Sequence, residues 1–522
     1  MSATSGEGPP RAASSAPSGR SAAAEPQAWG DHPNLLFLFS DQHAQRIAGC
    51  YGDASGATPN LDGLAREGVV FDNVYCPSPL CVPSRMAMLT ARHPYEQECW
   101  TNDDYLRSDA ATWVHGVGAA GYRPVLAGRL HSMGPDQLHG YAERMVGDHS
   151  PNWGGVPRHD LGVLDKANDP WRESLERAGI GQSAYQVKDA ETADAACTYL
   201  RTIAKAREAG RRDRFCLTVG FLLPHPPYVA WREDYARFAG HVPAPTHATP
   251  PDDAHPWEAW WRDDRGIADV ALPLTMRART AYYGLVHRLD ALIGDILDCL
   301  RECGLADDTL VVYTTDHGDQ LGERGLWWKH TLFEDSVRVP LIMRWPGRIA
   351  ASERRAHVAN LIDVAATMLD ALGGLPLPQG RGRSLLPVVR DASARWIDET
   401  FSEHCTDVVP AWTGGRAAQQ RMVRRGRFKL IYYHGYVPQL FDLESDPCER
   451  HDLAPDVHHA DTRDELLSRV LDRWDPDAIA ARIHARRQEK DVIDRWARHV
   501  RPLDAFRWNL LPEHNRLEAD AE

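Results

Sequence analysis

This 522-residue chain lacks several features, and each absence removes a class of function. No run is both long and apolar enough to span a bilayer, and the first thirty residues, dominated by Ala, Ser, Gly and Pro, lack the apolar core of a secretory signal. The expectation is a cytoplasmic protein with no membrane partner. Positive charge is in deficit. The 59 Lys and Arg stand against 73 Asp and Glu, a formal net charge of -14, which argues against the broad positive field that holds nucleic acid. An anionic ligand would need a local positive site. The ten cysteines show neither the close spacing of a disulfide framework nor that of a zinc knuckle, so a reducing compartment is expected, with most of them as core fillers. No internal repeat divides the chain.

What is present is material for a large core: 43% hydrophobic residues and 17 Trp. Two segments resemble each other. NLLFLFSDQH (residues 34–43) and TLVVYTTDHGDQ (residues 309–320) are each a nearly continuous apolar, β-rich run that stops at an aspartate. Both read as buried strands of a parallel or mixed sheet. Open α/β sheets bind ligands at the carboxyl ends of their strands. If the two strands are neighbours, Asp41 and Gln42 meet Asp316 and His317, and three oxygens and a nitrogen suit a hard divalent cation. Taken singly, a strand-end aspartate usually just caps a turn.

Helical patterns lie between these strands. TPNLDGLAREG (residues 58–68) opens on Thr-Pro and closes on Gly, as a short capped helix does. Residues 280–304 place Leu285, Leu289, Leu292, Ile293 and Ile296 at helical spacing before Gly304. Residues 229–272, rich in Pro, Trp and Asp, read as a long loop or lid.

The stretch CPSPLCVPSRMAMLTAR (residues 76–92) raises the sharpest question. Pro83 and Ser84 suit a first helical turn, and Met86 and Leu89 give the next an apolar side, so Cys81 is expected just before a helix N-terminus. There the helix dipole and Arg85 favour an anion, and a reactive thiolate is one reading. A lone cysteine is more often buried filler.

The residues CVPSR followed by MAMLTAR resemble the type I sulfatase motif, in which the Cys of C-x-P-S-R is oxidised after translation to formylglycine. The surroundings agree: the strand end at Asp41 and Gln42, TTDHGDQLGERGLWWKHTLFEDSVRVPLIMRWPG, and QLFDLESDPCERHDLA resemble that family in order and spacing, from about Asn34 to about Ala454. AGRLHSMGPDQLHGY (residues 127–141) is closest to the branch of choline-sulfatases and phosphonate monoester hydrolases, within the alkaline phosphatase superfamily.

The resemblance implies a fold, a chemistry and a set of residues. The fold is α/β: a large mixed sheet sandwiched by helices, with a smaller C-terminal α+β subdomain. The implied organisation is a disordered tail over 1–30, a catalytic domain over 31–390, and a C-terminal subdomain with a tail helix over 391–522. The aldehyde made from Cys81 would hydrate to a gem-diol, one hydroxyl attacking sulfur and the other then expelling sulfate. A formylglycine-generating enzyme is the implied maturation partner. Asp41, Gln42, Asp316 and His317, with the modified Cys81, would hold a divalent metal, Ca²⁺ first and Mn²⁺ or Mg²⁺ as alternatives. Arg85 would steady the hydrate. Lys329 and His225 match the cationic residues near the leaving-group oxygen, and His131 a histidine on the nucleophile side. Arg129 stands where the family usually has lysine; an arginine gives up its proton reluctantly, so substrate binding is its expected role. Gln42 replaces the second acid of the common Asp-Asp pair and removes one negative charge from the metal site.

Near the C-terminus, residues 421–447 alternate as antiparallel strands do, and residues 479–500 form a charged amphipathic helix, either packed on the domain or contacting another copy in a homo-oligomer. Trp153, Trp257, Trp260 and Trp261 could wall a quaternary ammonium, although core filling is the commoner use of Trp. The expected substrate is a small anionic sulfate monoester, choline sulfate or an aryl or alkyl sulfate. Two alternatives stand beside it: phosphonate or phosphate ester hydrolysis at the same site, and a silent member that binds an anion because Cys81 is never converted.

Overall fold

The two runs that end in aspartate are adjacent parallel strands at the centre of an eight-stranded sheet. This is seen in a computed structural model that describes residues 32–518 apart from 148, 158, 212 and 253. The expected tail over residues 1–30 lies outside the described residues. β1 (Asn34–Asp41) is flanked by β2 (Phe215–Pro224) and β3 (Thr309–Thr315), both parallel to it, and every residue of the three strands is buried. Helices cover both faces of such strands, which is why they read as continuous apolar runs and not as alternation. Arg338–Arg344 runs antiparallel to both β3 and Val69–Tyr75, so the sheet is mixed.

The register fixes the site. Ser40 pairs with Thr315, so the next residues, Asp41 and Asp316, leave the sheet side by side. α1 (Cys81–Thr90) packs on Leu361–Ala371, and all ten of its residues are buried. Cys81 is its first residue and Leu80 its cap, one position from the expectation.

Residues 229–272 are not one long loop. They contain the helix Arg232–Phe238 and α2 (Pro256–Arg265). His255 Nδ1 accepts the Trp257 amide at 3.1 Å, Pro256 suits the first turn, and Trp257 and Trp261 fall one turn apart and are buried. Their rings meet His330, His404 and Trp412. The helix expected over 280–304 is longer than its apolar spacing suggested: α3 (Leu272–Glu302) begins eight residues earlier, with Pro273 in its first turn.

Past residue 391 the chain forms a four-stranded antiparallel sheet in sequence order, Glu399–Cys405, Gln419–Arg425, Phe428–Tyr433 and Gln439–Asp442. Ala460–Val470 closes it over a core of Val423, Leu430, Leu440, Leu466 and Val470. Lys429, fully buried, reaches out of this sheet to Glu334 and Glu449 at 2.9 and 2.8 Å. The charged helix Pro476–Val500 buries only Ile479, Ile483 and Ala497. No helix among the described residues is long and apolar enough to cross a membrane, and all ten cysteines are free.

Candidate active site

Four side chains from three distant segments converge where β1, β3 and α1 end. One ligand atom from each of Asp41, Cys81, Asp316 and His317 lies within 4.8 Å of all the others, and all four residues are buried. Cys81 Sγ sits 3.2 Å from His317 Nε2, 3.7 Å from Asp41 Oδ1 and 3.0 Å from Lys329 Nζ. Burial and the Asp41 and Asp316 carboxylates push its thiol up to about 11. Burial beside two carboxylates thus favours the thiol, against the helix dipole and the cations Lys329 and Arg129.

Arg85 does not face the cavity. Its Nε donates to Asp316 Oδ2 at 2.8 Å and its Nη2 to Asp41 Oδ2 at 2.9 Å, with the guanidinium fully buried beside the Phe39 ring. Arg129 donates from Nε to Asp41 Oδ2 at 2.7 Å. Burial alone would raise the Asp41 carboxyl, but Arg129 and Arg85 outweigh it and hold the group well below the usual carboxylate range.

The histidines have defined tautomers because of what they touch. His317 Nδ1 lies 3.1 Å from the Gly318 carbonyl, which only accepts, so the neutral ring turns the lone pair of Nε2 toward the cluster. His225 Nδ1 is fixed in the same way by the Pro226 carbonyl at 2.7 Å. Burial, then Lys329, hold His225 well below its ordinary value. His131 is the reverse case: Arg129 Nη2, which only donates, is 2.7 Å from its Nδ1, leaving the ring proton on Nε2.

Gln42 is held on every side. Its amide N–H donates to Asp316 Oδ1 at 3.0 Å and its carbonyl accepts from Tyr282 at 2.6 Å. Its side-chain Nε2 donates to Asp319 Oδ2 at 2.7 Å, and its Oε1 accepts from Lys329 at 2.8 Å.

Residues 33–374, well over half the chain, match the profile of the sulfatase family. The chain belongs to that family. Residues 322–475 of this sulfatase also match the C-terminal region of N-sulphoglucosamine sulphohydrolase. A choline-sulfatase of Rhizobium meliloti (strain 1021) is 34% identical to it over 438 residues, covering 81% of this chain and 82% of that protein. Arylsulfatase K of Bos taurus is 28% identical over 499 residues, covering 91% and 87%. The crystal structure of the phosphonate monoester hydrolase of Agrobacterium radiobacter has the same fold, with a TM-score of 0.68 at 22% identity over 84% of this chain and 95% of that one. The branch to which the motifs pointed is thus matched both in sequence and in fold. The sulfatase is a sulfuric ester hydrolase.

Its site opens into a cavity of about 540 Å³ lined by Gln42, Arg129, His131, His225 and Lys329. The far wall was missed in the sequence: His149, His159, Lys166, Asp169 and Tyr185 line it, with Phe506 and Leu510 from the C-terminal segment. Nothing in their spacing ties these residues together. Of the four tryptophans considered as a wall, none lines the cavity; Trp257 and Trp261 are core, and Trp153 packs on Trp496.

The donor set fits a hard divalent cation. The Asp41 and Asp316 carboxylates are ligand types such ions take, the His317 tautomer already turns its lone pair inward, and the Gln42 amide oxygen is tied to the cluster through Lys329, which bonds both it and Cys81.

Proposed function

We propose that this sulfatase hydrolyses a small organic sulfate monoester, choline sulfate-like, aryl or alkyl, with a formylglycine nucleophile made from Cys81. In this reading residues 31–390 are the catalytic domain and residues 391–522 its subdomain. The observation that carries it is the position of Cys81: the first residue of α1, its sulfur within 4 Å of Asp41, His317 and Lys329, its thiol pushed up to about 11. A buried neutral thiol is a poor nucleophile, whereas the same carbon as an aldehyde hydrate brings two hydroxyls to that point.

Asp41, Gln42, Asp316 and His317 would hold a divalent cation beside the residue made from Cys81. When bound, that ion supplies positive charge to the sulfate oxygens and to the nucleophile. The other roles belong to the chain. Arg85 bridges Asp41 and Asp316 and sets their spacing. Arg129 holds Asp41 with Nε and His131 with Nη2, which puts the His131 ring proton on Nε2. The departing alcohol needs a proton. Lys329, which donates toward Cys81, is placed to give it; His225, neutral with its proton on Nδ1, has an Nε2 lone pair that accepts from the alcohol hydroxyl once that proton is delivered and does not donate to the oxyanion.

The test is a parallel assay of one sulfate monoester and one phosphonate monoester with the same alcohol, on protein co-expressed with a formylglycine-generating enzyme. The proposal expects the sulfate to be preferred in kcat/KM. A clear preference for the phosphonate would assign the site to phosphorus esters.

A further inference from the structure

Asp319 belongs to no role described above, yet it is fully buried and touches the residue by which this site departs from the usual pair of acids. Its Oδ2 accepts from Gln42 Nε2 at 2.7 Å and from Tyr228 Oη at 2.6 Å. Its Oδ1 accepts the backbone N–H groups of Leu321 and Trp328, both at 3.0 Å. Four donors on two oxygens use the full accepting capacity of a carboxylate, so Asp319 meets Gln42 as an acceptor.

An amide at position 42 has two ends of nearly equal size, and only one can face a cation. Asp319 decides which. As an acceptor it takes Nε2, and Oε1 turns to Lys329 Nζ, which also donates to Cys81 Sγ. The Gln42 backbone cannot compensate by moving, because Asp316 and Tyr282 hold its N–H and C=O and its φ is +65°. The negative charge that an acid at position 42 would have carried stands one hydrogen bond further back.

We propose that Asp319 is a positioning residue that makes the neutral Gln42 a working cation ligand, by locking its amide with Oε1 inward and by supplying the missing charge from behind. Groups behind metal ligands commonly change metal affinity by about 10- to 100-fold when removed. The inference rests on the cation site proposed above.

The experiment measures Mn²⁺ binding to metal-stripped, full-length protein by the electron paramagnetic resonance of free Mn²⁺, with thermal melting as the control for folding. Wild type is compared with Asp319→Asn, Gln42→Ala, the double variant Gln42→Ala/Asp319→Asn, and the charge swap Gln42→Glu/Asp319→Asn. We expect Asp319→Asn to weaken Mn²⁺ at least tenfold, to add nothing in the Gln42→Ala background, and to recover in the swap, where a carboxylate at position 42 can accept from an amide at position 319. Unchanged Mn²⁺ binding in Asp319→Asn, or an equal loss with and without Gln42, overturns the proposal. If Asp319→Asn does not fold, the swap decides: recovered Mn²⁺ binding supports the proposal, and its absence overturns it. Wild type that binds no Mn²⁺, or binds it equally after Asp316→Ala, would instead remove the cation site itself.

Discussion

Arg85 and Asp316 form an ion pair in which neither side chain reaches water, and the same guanidinium extends to Asp41, so one arginine sets the separation of two carboxylates. A guanidinium fork can do this with two donors in one plane; an ammonium is a single point. Arg85→Lys therefore cannot hold both carboxylates at once, and only Asp41 keeps a second guanidinium, that of Arg129. The expected loss is about 3 kcal/mol of stability, from the cost of breaking a buried ion pair, together with at least a hundredfold in kcat. Chemical unfolding and turnover of an aryl sulfate check it. A variant with wild-type turnover would remove Arg85 from the site's architecture.

Lys329 lies 3.0 Å from Cys81 Sγ and lines the cavity, and the proposed mechanism has it protonate the departing oxygen. An aryl oxide of low basicity leaves with little help, and an alkyl oxide does not. Lys329→Ala should then depress kcat/KM for an alkyl sulfate at least tenfold more than for a nitrophenyl sulfate. Equal losses for both esters would mean that Lys329 binds the sulfate and does not supply the proton.

Lys429, from the C-terminal sheet, is a fully buried ammonium between Glu334 and Glu449. Burial would raise both acids, yet Lys429 with Arg338 holds Glu334 below the usual carboxylate range, while burial keeps Glu449 above it. Lys429→Met removes the cation that lies between the two carboxylates and leaves Glu334 the more distant Arg338, at 4.0 Å. The expected cost is about 3 to 5 kcal/mol in urea unfolding. A loss under about 1 kcal/mol would show that the two glutamates share a proton and need no lysine.

Several buried histidines are held neutral away from the site. Burial lowers His255 to about 3 and His404 to about 4. A folded value below the unfolded 6.5 means that the unfolded chain takes up the proton first, so stability is full above about pH 6.5 and falls as pH drops toward 3. Each such group adds a slope of about 1.4 kcal/mol per pH unit inside that window. His255→Asn keeps a side-chain acceptor for the Trp257 amide but removes the proton uptake. Its unfolding free energy should fall less steeply between pH 6 and 4 than that of wild type, by about that slope. Parallel pH curves would contradict this.

Much of the site was legible because it is made of short motifs at strand and helix ends. The apolar runs into Asp41 and Asp316 identified the strands, and their adjacency, a conditional reading in the sequence, is what brings the cluster together. Other features depend on which way a side chain turns. DHGDQ contains Asp316, His317 and Asp319 within four residues, and spacing alone does not say that the first two join Asp41 and Cys81 in one cluster while Asp319 bonds the Gln42 amide. Arg85 reads in CVPSR as a cation that would steady an anion or hydrate beside Cys81, but its Nε and Nη2 donate to the Asp316 and Asp41 carboxylates. The far wall was hidden for another reason: Tyr185, Lys166 and Phe506 come together only through tertiary packing over several hundred residues of chain. The Trp-rich segment misled through its prolines, since Pro256 starts α2 and does not break it.

The central claim is that Cys81 is the precursor of the nucleophile and not the nucleophile itself. Its most direct test is mass spectrometry of the peptide containing Cys81, on preparations made with graded amounts of a formylglycine-generating enzyme, with turnover of a sulfate ester measured on each. The account predicts that turnover per molecule rises in proportion to the fraction carrying the aldehyde and falls to background where the thiol is intact. Full turnover from protein whose Cys81 is still a thiol would contradict it.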